Sequence, residues 1–259
     1  MIKLGLIGYP LVHSFSARYF EKKFRELGLE GKYTLMPLPA YEKGTLAKLL
    51  ADNPDLDGFN VTAPWKRKVM DDMDFLSREA REIRGVNVVK VCRNEGGDPR
   101  LEGYNTDWKG FIDCIPERYL TGNAIVLGSG GAAGAAVYGL LSRGMDVCVV
   151  SRDPARAAAG SVGILDHCKV CAYDDLSSSV VADASLVVNA TPLGMFPNCD
   201  VAPAFPYRFL GCETLCFDMV YNPSETLFMR QSGAAGAAVM NGLGMLHRQA
   251  DLAWEIWRS

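Results

Sequence analysis

Histidine is scarce in this chain: 259 residues hold only His13, His167 and His247, and no H-E-x-x-H pattern joins any two of them. The one metal-like fragment, Cys168-x-x-Cys171 beside His167, lacks the second ligand pair that a structural zinc site needs, so no metal is expected. Eight cysteines are scattered along the chain, a pattern of reduced thiols in apolar positions rather than a disulfide framework. No run approaches the roughly 18 consecutive apolar residues of a membrane span. The opening Ile2-Lys3-Leu4-Gly5-Leu6-Ile7-Gly8 carries no signal-peptide pattern, and a cytoplasmic protein is expected. Single-sign charge is also missing. The formal charge is −3, with 27 basic and 30 acidic residues interspersed, which gives no electrostatic case for nucleic acid or an anionic membrane. Repeats, low-complexity tracts and charged tails are absent, so the expected partner is a small molecule.

What is present is apolar and glycine-rich. Hydrophobic residues make up 49% and charged ones 22%, enough for sizeable cores, and the length favours two domains. Near mid-chain, Ala124-Ile125-Val126-Leu127 runs into Gly128-Ser129-Gly130-Gly131-Ala132-Ala133-Gly134. Gly128, Gly130 and Ala133 fit G-x-G-x-x-G/A, in which the first glycine makes a tight turn and the second admits a pyrophosphate. The last small residue lets helix pack on strand. The same letters occur at plain helix contacts, and context has to decide. The next strand, Asp146 to Val150, ends in Ser151-Arg152-Asp153-Pro154-Ala155-Arg156. A ribose-binding carboxylate is usual there, whereas two arginines favour a 2′-phosphate. Asp153 fits beside such a phosphate only if it points away or pairs with Arg156.

The N-terminal half reads strand (2–7), helix (17–27), strand (32–38), helix (45–51) and strand (56–62), a βαβαβ pattern implying a mainly parallel sheet with ligands at the carboxyl ends of its strands. Asn60, Thr62 and Lys66 fall at such an end. His13, Ser14 and Ser16 lie in the first loop, where a serine either caps the helix or faces an anionic ligand. Trp65 to Arg84 is helix-compatible, with Val69, Met73, Leu76, Ala80 and Ile83 as its inward stripe. A hairpin through Asn94 to Pro99 makes the sheet mixed at one side. Asp107 then precedes a helix, as its N-cap or as a functional carboxylate. Further apolar strands end at Asn189-Ala190-Thr191 and Asp218-Met219-Val220-Tyr221-Asn222-Pro223. A final strand beginning within Gly233 to Val239 leads to a helix from Leu243 to Trp257. The expected architecture is α/β: an N-terminal domain of residues 1–107 plus 240–259 with a mainly parallel mixed sheet, and a Rossmann-type dinucleotide-binding domain of 108–239.

Taken in order, these motifs resemble one family, the shikimate dehydrogenases. Tyr9-Pro10-Leu11-Val12-His13-Ser14-Phe15-Ser16 is similar to the family's N-P-x-x-H-S-x-S, and Asn60-Val61-Thr62-Ala63-Pro64-Trp65-Lys66 to its N-V-T-x-P-x-K. Asn105-Thr106-Asp107, the glycine loop, Asn189-Ala190-Thr191, Asp218 to Pro223 and Gly242-Leu243-Gly244-Met245-Leu246 with Gln249 complete the series. The resemblance implies reversible NADPH-dependent reduction of 3-dehydroshikimate to shikimate, in the pathway to chorismate and aromatic amino acids, by a monomer or homodimer. It implies Lys66 and Asp107 as the catalytic pair, and Ser14, Ser16, Thr62, Asn87, Tyr221 and Gln249 as substrate ligands. For NADP(H) it implies Gly128, Ser129, Gly130, Gly131, Ala132 and Ala133 of the loop, with Ser151, Arg152, Arg156, Thr191, Gly242 and Met245. The chain departs from the commoner pattern at Ala17, Trp65, Val88 and Ser151 to Asp153. A quinate/shikimate or aminoshikimate dehydrogenase would share the same catalytic pair. A non-catalytic dinucleotide sensor would keep the glycine loop without requiring Lys66 and Asp107.

Overall fold

The computed structural model describes residues 1–11, 15–93, 98–160 and 164–259. They form two compact units: Met1–Thr106 with Ala250–Ser259, and Asp107–Gln249. The return to the first unit comes at Ala250, later than the expected residue 240, because the last strand and the first turns of the last helix stay with the second sheet.

In the first unit the elements are β1 (Ile2–Gly8), α1 (Phe15–Glu26), β2 (Gly31–Pro37), α2 (Thr45–Asp52), β3 (Gly58–Val61), β4 (Phe75–Leu76), α3 (Arg78–Ile83), β5 (Val88–Cys92) and β6 (Arg100–Tyr104). The sheet order is β2-β1-β3-β5-β6-β4. β2, β1 and β3 run parallel, while β5 is antiparallel to β3 and to β6, the expected mixed edge. Near-continuous apolar strands are what a sheet covered on both faces demands. One face carries Phe20 and Phe24, spaced one helical turn apart on α1, with Ala250, Ala253 and Trp257. The other carries Leu46, Leu49 and Leu50 of α2 against Phe59, Val61 and Trp65.

The segment 65–84 is not one helix. It breaks into a 3-10 turn (Lys68–Asp72), β4 and α3. Two polar side chains divert it. Asp74 accepts the Leu101 amide at 2.7 Å and returns its own amide to Leu101 O, joining the chain to the sheet edge. Ser77 then caps α3 through the Ala80 amide at 3.2 Å.

The second unit holds α4 (Asp107–Ile112), β7 (Asn123–Leu127), α5 (Gly131–Ser142), β8 (Asp146–Val150), α6 (Pro154–Gly160), β9 (Lys169–Cys171), α7 (Ser178–Ala182), β10 (Ala184–Asn189), β11 (Leu215–Asp218), α8 (Leu227–Ala234), β12 (Ala238–Asn241) and α9 (Leu243–Arg258), whose last residues belong to the first unit. All six strands are parallel in the order β12-β11-β10-β7-β8-β9. Renumbered from β7 as first, this is the 3-2-1-4-5-6 order of the Rossmann fold, whose strand order reverses between β7 and β10. Ligands bind outside the strand ends at such a point. Small residues of α5, Ala133 and Ala136, are fully buried against the sheet. Among the described residues no helix is long and apolar enough to cross a membrane, and no group of three His, Cys, Asp or Glu side chains is placed to hold a metal ion.

Candidate active site

In the first unit a buried polar chain runs beneath the carboxyl end of β3. Tyr33 on β2 is 5% exposed and stacks on Phe20 at 4.8 Å. Its hydroxyl donates to Asn60 Oδ1 at 2.8 Å. Asn60 Nδ2 donates to Asn87 O at 3.1 Å, Asn87 Nδ2 to Thr106 Oγ1 at 3.0 Å, and the Thr106 amide to Asn87 Oδ1 at 2.7 Å. Ser16, in the first turn of α1, bonds the Tyr33 hydroxyl; burial pushes that phenol well above its ordinary range and the serine partly offsets it. Asn105 Nδ2 donates to Gly85 O at 2.8 Å.

Lys66 and Thr62, both half-buried, follow β3 directly. Their backbones are tied down: the Thr62 amide donates to Ile7 O at 2.9 Å and the Val86 amide to Lys66 O at 2.8 Å. Trp65, one of the departures from the family pattern, turns inward; its Nε1 donates to Leu38 O at 2.9 Å and its ring packs on Tyr41. Ser16, Thr62, Lys66 and Asn87 therefore rise from one stretch of scaffold in this unit. Ser14 and His13 lie outside the described residues.

Asp107 opens the second unit. It is 8% exposed and is the first residue of α4, so the cap position falls on Thr106. Tyr221 is 39% exposed, beyond β11. Gln249 and Met245 are half-buried on α9, where Gly110 of α4 lets the helices touch: a Cβ there would lie 2.9 Å from Gln249 Cβ and 3.1 Å from Met245 O.

The glycine loop has the shape that a dinucleotide needs. Gly128 sits at φ +106°, a left-handed conformation that favours glycine. Gly130 is the N-cap of α5 with no side-chain cap, and a Cβ on Gly130 or Gly131 would meet open space. The first amides of a helix have no intrahelical acceptors, so with open space beside Gly130 and Gly131 the start of α5 has the makings of an anion cradle. At the end of β8, Ser151 lies within 3.4 Å of Ser129, hydroxyl to hydroxyl. Arg152 and Arg156 are exposed, while the Asp153 carboxylate turns to cap α6 by accepting the Arg156 amide at 2.9 Å. Asp153 thus points at the helix start. The donor set fits a phosphorylated dinucleotide.

Three residues with no assigned role tie the neighbouring strand ends together. Asn189 ends β10, Asp218 ends β11, and both are fully buried with Thr226. Thr191 donates its amide and hydroxyl to Asn189 Oδ1 at 3.1 and 2.6 Å. Burial raises the Asp218 pKa to about 6, against the stabilising bonds from Thr226, Val220 and Asn189. Gly242 leaves no room for a Cβ against the Met219 backbone, and its amide donates to Val220 O at 3.3 Å. Asn189 and Asp218 each close an otherwise apolar strand, whereas Thr226 starts α8, and nothing in the sequence pairs the three.

Residues 6–89 match the family model described as the shikimate dehydrogenase substrate binding domain. The NADP(+) shikimate dehydrogenase of Desulforamulus reducens is 36% identical across 98% of this chain and 88% of its own length. The chain belongs to the shikimate dehydrogenase family. Among solved structures, the shikimate 5-dehydrogenase from Thermus thermophilus, in complex with NADP(H) and shikimate, superposes with a TM-score of 0.84 at 32% identity, covering 99% of this chain and 93% of that one. A quinate dehydrogenase from Corynebacterium glutamicum, in complex with NAD, reaches 0.85 at 28% identity with the same coverage. Family membership accounts for the order of motifs and for the Rossmann-type second unit.

Proposed function

We propose that this shikimate dehydrogenase family member catalyses the reversible NADPH-dependent reduction of 3-dehydroshikimate to shikimate, with Lys66 and Asp107 as its catalytic pair. The reading takes residues 1–107 with 240–259 as the substrate-binding and catalytic domain and 108–239 as the NADP-binding domain, with Tyr221 of the latter also among the substrate ligands. The observation that carries it is the near-full-length similarity to an enzyme named for this activity, with the motifs in the family's order.

NADP(H), when bound, supplies or removes the hydride. The amides opening α5, with Ser129 and Ser151, would hold its phosphates, and Arg152 and Arg156 would meet the 2′-phosphate with planar, bidentate donors. The reacting oxygen still requires a proton. The Lys66 ammonium donates to the alkoxide as it forms, and the Asp107 carboxylate accepts from the reacting hydroxyl. Ser14, Ser16, Thr62, Asn87, Tyr221 and Gln249 supply hydroxyl and amide groups that match a hydroxylated ring acid. Eight cysteines without a disulfide suit the reducing cytoplasm, and the reading includes a monomer or homodimer there.

The test is shikimate-dependent reduction of NADP+ and of NAD+, followed at the absorbance of the reduced nicotinamide. Turnover with NADP+ is expected; no turnover with either cofactor overturns the reading. Lys66→Ala is expected to lower kcat about 10²–10⁴-fold with NADP+ binding retained, and a near-normal kcat removes Lys66 from the chemical step. The likeness to a quinate dehydrogenase favours a second reading, quinate oxidation, which the ratio of shikimate to quinate activity decides.

A further inference from the structure

A buried carboxylate without a cationic partner is costly, and stability alone gives no reason to keep it. Asp218 is such a group. It is 0% exposed, and its contacts among the described residues are three dipolar donors. Oδ1 accepts from Asn189 Nδ2 at 3.0 Å and from the Val220 amide at 3.0 Å, and Oδ2 accepts the Thr226 hydroxyl at 2.5 Å.

These bonds have a fixed polarity. An ionised carboxylate only accepts, so the amide nitrogen of Asn189 must face it and Asn189 Oδ1 must face the other way. That oxygen takes both the amide and the hydroxyl of Thr191. With its hydroxyl proton committed there and its oxygen accepting the Leu193 amide at 3.3 Å, Thr191 offers its methyl group to the glycine turn: a Cβ on Gly128 would lie 3.1 Å from Thr191 Cγ2. On its other side Asp218 fixes Val220, whose carbonyl holds the Gly242 amide.

We infer that Asp218 is a positioning residue for the dinucleotide, acting through Asn189 and Thr191 on the glycine turn at Gly128 and through Val220 on Gly242. This rests on the cofactor reading above. The side chain touches no ligand itself; it sets the turns after β10 and β11 from within the core.

Isothermal titration of NADP+ into the full chain, without shikimate, tests the idea. Asp218→Asn keeps shape but removes the charge, and Asn189→Ala removes the link to Thr191 while leaving Asp218 and Val220 joined. Each is expected to weaken NADP+ binding about tenfold, the scale of one or two lost orienting hydrogen bonds. Wild-type binding with both variants binding equally well overturns the role of Asp218 alone, whereas a wild-type chain that does not bind NADP+ removes the reading beneath it. Should Asp218→Asn fail to fold, Asn189→Ala carries the test by the same criterion.

A pH series separates positioning from mere structure. Among the described residues, Tyr207, which feels the Asp218 charge, and Cys216 next to it are pushed far above neutrality by burial, which leaves Asp218 to titrate near pH 6. The cofactor's own phosphate titration cancels in the ratio of variant to wild-type dissociation constants. For Asp218→Asn that ratio is expected to be about ten at pH 8 and to fall towards one at pH 5, where the wild-type carboxyl is itself neutral. A ratio that stays the same across this range overturns the proposal.

Discussion

At the residue scale, two kinds of side chain make opposite electrostatic demands on the second unit. Arg152 and Arg156 stand exposed at the end of β8, and a phosphate bonded by a guanidinium gains about 1.5–3 kcal/mol. Arg152→Ala is therefore expected to raise KM for NADP+ by about 10–100-fold and to leave KM for NAD+ within about twofold, as steady-state kinetics with each cofactor would read. Equal losses for both cofactors would place Arg152 outside 2′-phosphate recognition. Asp218 acts in the other sense. Its folded pKa lies above its unfolded one, at about 6 against 3.8, so the native state holds the extra proton between those values. The wild type loses stability as pH rises through this window, by about 3 kcal/mol at about 1.4 kcal/mol per unit. Asp218→Asn has no such loss. Urea denaturation at pH 4.5 and pH 7.5 should show the variant gaining on the wild type at the higher pH, and a pH-independent difference would refute the buried charge.

At the element scale, the end of α9 is a fixture of the first sheet. Trp257 packs over Gly58, where a Cβ would collide with its indole, and donates Nε1 to Val89 O at 2.9 Å. Trp257→Ala is expected to cost about 3–5 kcal/mol, a cavity plus one lost hydrogen bond, and chemical denaturation would measure it; a loss below about 1 kcal/mol would mean that the site collapses around the gap. α9 was legible in the sequence because its stripe repeats over several turns, and β7 and β10 because their apolar runs end in glycine or polar turns. The stripe over 65–84 misled for a physical reason: the periodicity of Val69, Met73, Leu76, Ala80 and Ile83 is real, but Asp74 and Ser77 trade helix bonds for bonds to β6 and to the start of α3. α7 is too short to announce a period, and α8 runs into Gln231, Ser232 and Gly233 rather than continuing an apolar stripe. The Lys66 and Asp107 motifs could be read locally, whereas Tyr33 and the Asn189–Asp218–Thr226 cluster could not. Their meaning lies in partners 27 to 29 residues away on other strands, and only the sheet order brings those together.

At the scale of the whole molecule, each unit carries its own cores. Ile7, Phe59, Phe20 and Trp257 belong to clusters of the first unit, and Phe111, Val188, Leu127 and Phe228 to clusters of the second. On the proposed cofactor site, binding energy enters through the second unit, where the glycine loop and both arginines reside. At one hundred times its dissociation constant, NADP+ adds about 2.7 kcal/mol to whatever it binds in the native state. For a unit of this size that shift corresponds to about 5–10 °C in midpoint. Scanning calorimetry should then resolve two components, with NADP+ moving one of them by about that amount and the other by less than about 2 °C. Asp218→Asn should shrink the moved component's shift at a fixed NADP+ concentration, since a tenfold weaker site gives up about 1.4 kcal/mol of it. A single transition that moves as a whole, with calorimetric and van't Hoff enthalpies equal, would show instead that the two cores unfold together, and the stabilisation would then be shared by every residue of the chain.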